Sequence, residues 1–153
     1  MDIVDSTIRS RMMANIRSKD TKPEMAVRRY LHANGFRYRL HDRQLPGKPD
    51  LSLPKYRTVI FVHGCFWHQH ESCNRAYMPS SRKEIWQNKF ANNKRRDVRV
   101  IQELGELGWR VIVIWECGLA KSSTATSLDW LPAKIKQSEE PFLEWPCTPT
   151  KHP

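Results

Sequence analysis

The chain has 153 residues and a formal net charge of +10, and this length predicts one domain, residues 1–153, with a buried core. No apolar run is long enough to cross a bilayer and no signal-peptide pattern opens the chain, so we expect a cytoplasmic protein with reduced cysteines and no membrane partner. The charge favours nucleic acid as a partner over a solvated basic surface, because six tryptophans are present that can stack on bases.

Two helices are predicted at the start of the chain. The first lies in an N-terminal arm, residues 1–20, which is either a stable helix or a segment that becomes ordered only on a partner. The second begins with a capping box, in which Thr21 is the N-cap and Glu24 stands three residues later. Gly35 suits the left-handed position that ends a helix.

Four strands are predicted from the apolar runs that follow. Residues 36–40 alternate apolar and basic side chains, residues 49–53 and 58–62 are short apolar runs, and residues 110–116 are the most apolar run of the chain. The last of these is expected to be central. With the helices, they predict an α/β fold built on a mixed four-stranded sheet that helices flank.

The remaining elements are predicted around that last strand. Ser80 or Ser81 would cap a helical region whose apolar stripe is interrupted at residues 94–97. A short helix is expected near residues 128–136. Residues 140–153 are rich in proline and are expected to be an irregular tail.

The order of the elements predicts where a site would form. About forty mostly helical residues join strand 58–62 to strand 110–116, which is typical of parallel neighbours with a right-handed crossover. Parallel strands end at the same edge of a sheet, so Cys117 is expected beside Cys65. Asp50 begins a strand antiparallel to 58–62 and should lie near that edge.

A dense cluster of soft ligands lies in residues 63–73, HGCFWHQHESC. It supplies a Cys-x4-His-x2-Cys pattern, and the fold would bring a fourth ligand to a closed zinc site. These ligands are Cys65, His70, Cys73 and Cys117. The alternatives are free buried thiols, and His68 in place of His70.

A Pro-Asp pair at the start of a strand is typical of nucleases that bind a divalent cation through the aspartate, here Asp50. The acid and lysine expected in the next strand are missing. The backbone carbonyl of Val62 can replace the acid, and His63 and His68 can handle protons near neutral pH. The alternative for Asp50 is an ordinary turn aspartate.

Four segments together resemble the very-short-patch repair DNA endonucleases: PGKPD, VIFVHGCFWHQH, the later Cys73, and LGWRVIVIWEC. This resemblance implies a restriction-endonuclease-like core with a structural zinc and an N-terminal arm. It further implies a monomeric, nucleoid-associated enzyme that uses Mg²⁺ to nick double-stranded DNA 5′ of the thymine in a T:G mismatch, the product of 5-methylcytosine deamination. Mismatch-repair matchmaker proteins are its candidate partners.

The resemblance also implies roles for single residues. Asp50 and the carbonyl of Val62, where threonine is expected, would hold Mg²⁺. His68 would activate water, Asp97 would orient it, and His63 would lie near the scissile phosphate. One further family acid near the metal waters matches Glu24. From the sequence alone, Asp97 is equally a helix-surface charge and Glu24 a capping residue.

The same resemblance assigns the zinc ligands to the four residues named above and predicts a set of DNA contacts. Aromatic side chains would wedge into the duplex beside the mismatch, where unstacking costs least. The expected DNA contacts are Phe66, Trp67, Trp86, Met13, Lys89 and Asn93. Without the family, Trp86 and Met13 are equally explained as side chains that pack on the core.

Two other functions fit the same residues. One is a zinc-stabilised DNA-binding module without cleavage. The other is a nuclease of the same fold that serves a restriction system and has no mismatch preference. Cleavage of T:G and of matched T:A duplexes separates both from a mismatch endonuclease.

Overall fold

The computed structural model describes residues 21–119 and 127–146. The predicted N-terminal arm, residues 1–20 with Met13, lies outside the described residues, as does the last part of the predicted tail. In the described ranges, no helix is both long enough and apolar enough to cross a membrane.

Three α-helices lie wholly within these ranges: α1 is Lys22–Ala33, α2 is Lys83–Glu106, and α3 is Leu131–Gln137. Helix α1 begins where predicted, since the Thr21 hydroxyl oxygen accepts the amide N–H of Glu24 at 3.3 Å. Gly35 follows the helix with φ of +84°, the left-handed conformation expected of it.

Helix α2 differs from the prediction in two ways. It begins at Lys83, with Arg82 as its N-cap, rather than at a serine cap. It also continues without a break through residues 94–97, because the basic side chains there point to solvent while Phe90 and Leu104 keep one face buried. The interruption in the apolar stripe changes the side chains on the helix surface but leaves the helical backbone continuous.

The sheet has five strands rather than the predicted four, in the order β1-β2-β3-β4-β5. The strands are β1 Arg39–Leu40, β2 Leu51–Leu53, β3 Thr58–His63, β4 Arg110–Trp115 and β5 Phe142–Trp145. Strands β1, β2 and β3 pair antiparallel, and β3, β4 and β5 pair parallel.

The fifth strand corrects the expected irregular tail, because part of that segment pairs with the open edge of β4. Strand β1 is shorter than the predicted 36–40. Phe36 leaves the sheet and is buried in the core, where its ring meets that of Tyr56.

Both faces of the sheet are buried, which explains the continuous apolar runs of β3 and β4. Even-numbered side chains such as Ile60 and Ile112 pack against α1 and α3. Odd-numbered ones such as Phe61 and Val113 share a core with Val100 of α2. Because His63 is odd-numbered, its side chain falls on the face that α2 covers.

Gly47 tests how tightly α2 is packed against the loop that precedes Asp50. Its φ is +75°, and a Cβ atom there would lie 2.4 Å from Cγ1 of Val100. We expect Gly47→Ala to lower the free energy of unfolding by about 2 to 4 kcal/mol, through left-handed strain and overpacking. Urea denaturation would measure this loss.

Gly105, in the interior of α2, is the matched control, since a Cβ atom there meets nothing within 4 Å. Gly105→Ala should raise stability by about 0.5 to 1 kcal/mol, because alanine favours the helix. Equal stability changes in the two variants would contradict the close contact between the loop and α2.

Candidate active site and metal centre

The candidate site lies at the edge of the sheet where β3 and β4 end. The two strands run parallel, and their register sets His63 opposite Trp115. A loop, residues 64–73, leaves the end of β3, and a 3-10 turn, Glu116–Leu119, leaves the end of β4. Because parallel strands present their carboxyl ends at one edge, these two connections start side by side.

Three thiols and one imidazole converge at this edge, and one sulfur or nitrogen atom of each lies within 4.8 Å of the others. They belong to Cys65, His70, Cys73 and Cys117. Nδ1 of His70 lies 3.7 Å from Sγ of Cys65 and 3.5 Å from Sγ of Cys117. Tetrahedral zinc ligands at the usual bond lengths are about 3.6 Å apart. The four side chains therefore fit a zinc ion, and the histidine among them is His70, not His68.

The surroundings of this cluster hold its ligands in place. The His70 ring stacks on Trp115, with centroids 4.1 Å apart, and the Cys65 amide N–H donates to Oε1 of Glu116 at 3.3 Å. Burial raises the pKa of the Cys65 and Cys117 thiols, so without a cation both keep their protons at neutral pH. A metal would displace those protons and bind thiolates.

His68 and Asp97 form the second group at this edge. Nδ1 of His68 lies 2.7 Å from Oδ2 of Asp97. Asp97 lies two helical turns after the buried Phe90, so it belongs to the inner face of α2 rather than to its outer surface. With the Nδ1 proton held by Asp97, Nε2 of His68 is left to accept a proton, as in a general base. About a quarter of each side chain is exposed, so water reaches the pair.

His63 is buried behind this pair. Its ring stacks on that of His68, with centroids 3.8 Å apart and planes only 3° from parallel. Burial, followed by the nearness of His68 and His70, lowers its pKa well below the ordinary value, so His63 is neutral at neutral pH. Its Nδ1 has no hydrogen-bond partner among the described residues. An acid role at a phosphate would require His63 to gain a proton when the phosphate binds.

Asp50 and Glu24 form the third group, together with His41. Oδ2 of Asp50 accepts the amide N–H of Val62 at 2.7 Å. Oε2 of Glu24 lies 3.0 Å from Nε2 of His41 and 3.0 Å from Nη1 of Arg28. The predicted capping residue of α1 thus turns its buried carboxylate toward Asp50.

The Asp50 group suits a hard divalent cation such as Mg²⁺, which prefers carboxylate and carbonyl oxygens. The N–H and C=O of one strand residue point to the same side, so the Val62 carbonyl is directed toward the side on which Asp50 lies. Burial raises the pKa of Asp50 to about 7, and the neighbouring Glu24 adds to that shift. A bound cation would offset this cost of keeping two acids close together.

The predicted DNA-contacting aromatics form one cluster next to the loop. The Phe66 ring contacts four others, with centroids 4.9 to 5.4 Å away. These rings belong to Trp67, Tyr77, Trp86 and Phe90. The Lys89 ammonium lies 5.1 Å from the Trp67 ring and 5.7 Å from the Trp86 ring. Asn93 donates to the Trp67 carbonyl at 3.0 Å, so its amide holds the loop in the free protein.

Three residues of the site are not predicted from the sequence. His41 precedes Asp50 by nine residues, a spacing that matches no metal motif, and only the pairing of β1 with β2 brings them together. In the sequence, Trp115 is one more apolar residue of a predicted buried strand. Tyr77, whose side chain remains largely exposed, follows the zinc ligands in an irregular segment. The only sequence signal for Tyr77 is that it is an aromatic residue between the predicted zinc ligand Cys73 and the start of α2.

Cys117 tests the metal centre. Replacing it by alanine removes one of four ligands, so we expect zinc content and thermal stability to fall together. Metal analysis of the purified protein and a thermal melt measure the two. Cys147→Ala is the control, since Cys147 is not among the four ligands. A Cys117→Ala protein that is as zinc-replete and as stable as the parent would contradict the ligand set.

Asp50 tests the acid pair through pH. The folded protein keeps a proton on Asp50 up to about pH 7, whereas the unfolded chain loses it near pH 4. Folding therefore takes up a proton between these values, and stability falls as pH rises, by up to about 1.4 kcal/mol per pH unit.

Asp50→Asn should remove this part of the pH dependence. Urea denaturation at pH 5 and pH 7.5, without added magnesium, measures it in both proteins. Parallel pH profiles for the two proteins would show that Asp50 is not the group responsible.

Comparison with known proteins identifies the family of this chain. The family model described as "DNA mismatch endonuclease Vsr" matches residues 1–75. A type II nicking enzyme of Neisseria meningitidis is 45% identical over 138 residues, 90% of this chain and 98% of that protein. A type II nicking enzyme of Xanthomonas oryzae is 49% identical over 109 residues, 71% of this chain and 79% of the relative.

The DNA mismatch endonuclease Vsr of Escherichia coli is 44% identical over 118 residues, which are 77% of this chain and 75% of that protein. In each case the match extends over more than two thirds of this chain and of the relative. At these identities and coverages, the chain belongs to the family of the DNA mismatch endonuclease Vsr.

Proposed function

We propose that this member of the Vsr family hydrolyses one strand of double-stranded DNA 5′ of the thymine in a T:G mismatch. Such mismatches arise when 5-methylcytosine deaminates, so the nick would begin repair of that damage. The proposed scaffold is a restriction-endonuclease-like core, with zinc on the four-ligand cluster and Mg²⁺ at Asp50.

The main support for the proposal is a continuous series of contacts that joins the cation site to the general base. Asp50 bonds to the backbone of Val62, the next residue is His63, and its ring stacks on His68. His68 in turn bonds to Asp97. A phosphate bound to a cation at Asp50 would share this edge of the sheet with a histidine equipped to activate water.

The residues of this chain have distinct tasks in that reaction. Nε2 of His68 takes a proton from water, and the resulting imidazolium is stabilised by Asp97. The water oxygen bonds to phosphorus while the bond from phosphorus to the departing sugar oxygen breaks, and that oxygen takes a proton from solvent water. Asp50 and the Val62 carbonyl would hold Mg²⁺, which when bound stabilises the charge that develops on the phosphate.

The aromatic cluster supports the preference for a mismatch. Phe66, Trp67 and Trp86 are half-buried, so each ring keeps a free portion at the protein surface. A mismatched step costs less to unstack than a paired one, and inserted rings recover part of that cost by stacking on bases. The Lys89 ammonium beside two of these rings would attract the nearby phosphates.

The charge of the chain supports binding to duplex DNA. Helix α2 exposes six basic side chains, of which Lys89 lies beside two rings of the aromatic cluster. They are Lys83, Lys89, Lys94, Arg95, Arg96 and Arg99. Such a surface neutralises backbone phosphates without reading bases, so binding should weaken as salt is raised.

A second candidate function is nicking without mismatch preference. It is favoured by the names of several relatives, which are called type II nicking enzymes with no mention of a mismatch. Both functions use the same hydrolytic residues, and they differ only in whether the aromatic cluster selects a mismatch.

Paired duplexes that differ only in one base pair test the proposal. In the presence of Mg²⁺, the T:G duplex should be nicked on the thymine strand and the matched T:A duplex left largely intact, because only the mismatched step opens cheaply. Gel analysis of strands labelled at either end locates the nick. Equal cleavage of both duplexes would favour the second candidate function.

Asp50→Ala in the same assay should lower the nicking rate by at least about a thousandfold, since it removes the cation ligand. Binding to the T:G duplex, measured by fluorescence anisotropy, should persist. Asp129→Ala is the matched control, because Asp129 is an exposed acid that lies just before α3 in the chain. Undiminished nicking by Asp50→Ala would overturn the proposed cation site.

A further inference from the structure

We infer that His41 is a third protein ligand of the cation at Asp50 and Glu24, and that this site binds a first-row transition cation such as Mn²⁺ more tightly than Mg²⁺. The inference rests on the proposed function for the presence of a cation at Asp50. It adds a nitrogen donor to a site whose other expected ligands are all oxygen atoms.

The spacing of the three side chains supports ligation. One ligand atom from each of Glu24, His41 and Asp50 lies within 4.8 Å of the other two. Nε2 of His41 and Oε2 of Glu24 are 3.0 Å apart. Adjacent ligands of an octahedral cation, each about 2.1 Å from it, are separated by about 3.0 Å. Side chains that are to share a cation are thus already at the required distance.

The backbone at His41 is arranged to present this imidazole. Leu40 pairs with Leu51 in the sheet, and the next amide, that of His41, donates to the Asp50 carbonyl at 3.2 Å. His41 itself has φ of +47°, a left-handed conformation that costs a residue with a Cβ about 1 kcal/mol or more. This turn ends β1 at the point where the side chain reaches Glu24, opposite Asp50.

The chemistry of the donors determines the kind of cation. Mg²⁺ prefers oxygen ligands, whereas imidazole nitrogen is a good ligand for first-row transition metals. Two carboxylates and one imidazole form a mixed set that Mn²⁺ or Co²⁺ accepts. Arg28 contacts the same Glu24 oxygen as His41, and its guanidinium balances the acid charge while the site lacks a cation.

A hydrogen bond between His41 and Glu24 would give the same 3.0 Å contact, so the test must detect ligation itself. Mn²⁺ bound to the full-length, zinc-loaded protein is suited to pulsed electron paramagnetic resonance, which detects a directly coordinated ¹⁴N nucleus. The variants are His41→Gln, which exchanges the nitrogen donor for an amide oxygen, and His32→Gln. His32 is exposed in the last turn of α1 and serves as the matched control.

We expect a ¹⁴N coupling in the parent protein and in His32→Gln, and its loss in His41→Gln. The ratio of the dissociation constants for Mg²⁺ and Mn²⁺, measured by titration calorimetry, should fall about tenfold in His41→Gln, because the new oxygen still suits Mg²⁺. A residue that only positions Glu24 would shift both affinities together and leave the ratio unchanged.

Failure of the inference is distinguishable from failure of the proposed cation site. If Mn²⁺ binds and is lost in Asp50→Ala, but the ¹⁴N coupling is absent or survives in His41→Gln, the ligand role of His41 is wrong and the cation site stands. If Mn²⁺ binding is unaffected by Asp50→Ala, or does not occur, both are wrong.

Discussion

The backbone hydrogen bonds between β3 and β4 hold the two strands parallel, with His63 directly opposite Trp115. Every group of the candidate site is placed relative to this pairing. The loop that carries Cys65 and His68 leaves one strand, and the turn that carries Cys117 leaves the other. A register shift of one residue would move His63 to the opposite face of the sheet, away from α2.

The loop after β3 is held by contacts to neighbouring elements, both through the Phe66 ring and through polar side chains. Its polar and sulfur contacts come from two elements: Cys117 belongs to the turn after β4, and Asp97 and Asn93 belong to α2. Left-handed backbone at Gln69 shows how sharply it turns. Such a loop can present a metal ligand, a base and a stacking ring within a few residues, because successive side chains point in different directions.

The site has two electrostatically different parts. One part has acidic side chains that suit a cation, and the other has histidines that can accept a proton. Asp50 and Glu24 are kept close together, although burial and their mutual nearness make the charged form of Asp50 unfavourable. His63 is kept neutral by burial beside His68. Both arrangements cost stability in the isolated protein, and both would be relieved by a cation and a phosphate bound between them.

Four features follow from sequence patterns alone: the capped helix α1, the apolar strands, the parallel β3 and β4 pairing and the convergence of Cys65 with Cys117. Each depends on short-range patterns, such as a capping residue or a long helical connection, that can be recognised without knowing the rest of the fold. The resemblance of PGKPD and HGCFWHQH to a family supplied roles for the residues, but not their distances.

Which partner each histidine of the loop contacts depends on the packing of segments that are distant in the chain. In the linear sequence His68 is an alternative to His70 as a zinc ligand, and only the packing of α2 against the loop sets Asp97 against His68 and leaves His70 with the thiols. The same holds for His41 and for the fifth strand, since both depend on pairing with residues distant in the chain. Local patterns predict most of the helices and strands, whereas the start of α2, the extent of β1 and the contacts between distant segments depend on how the buried faces fit together.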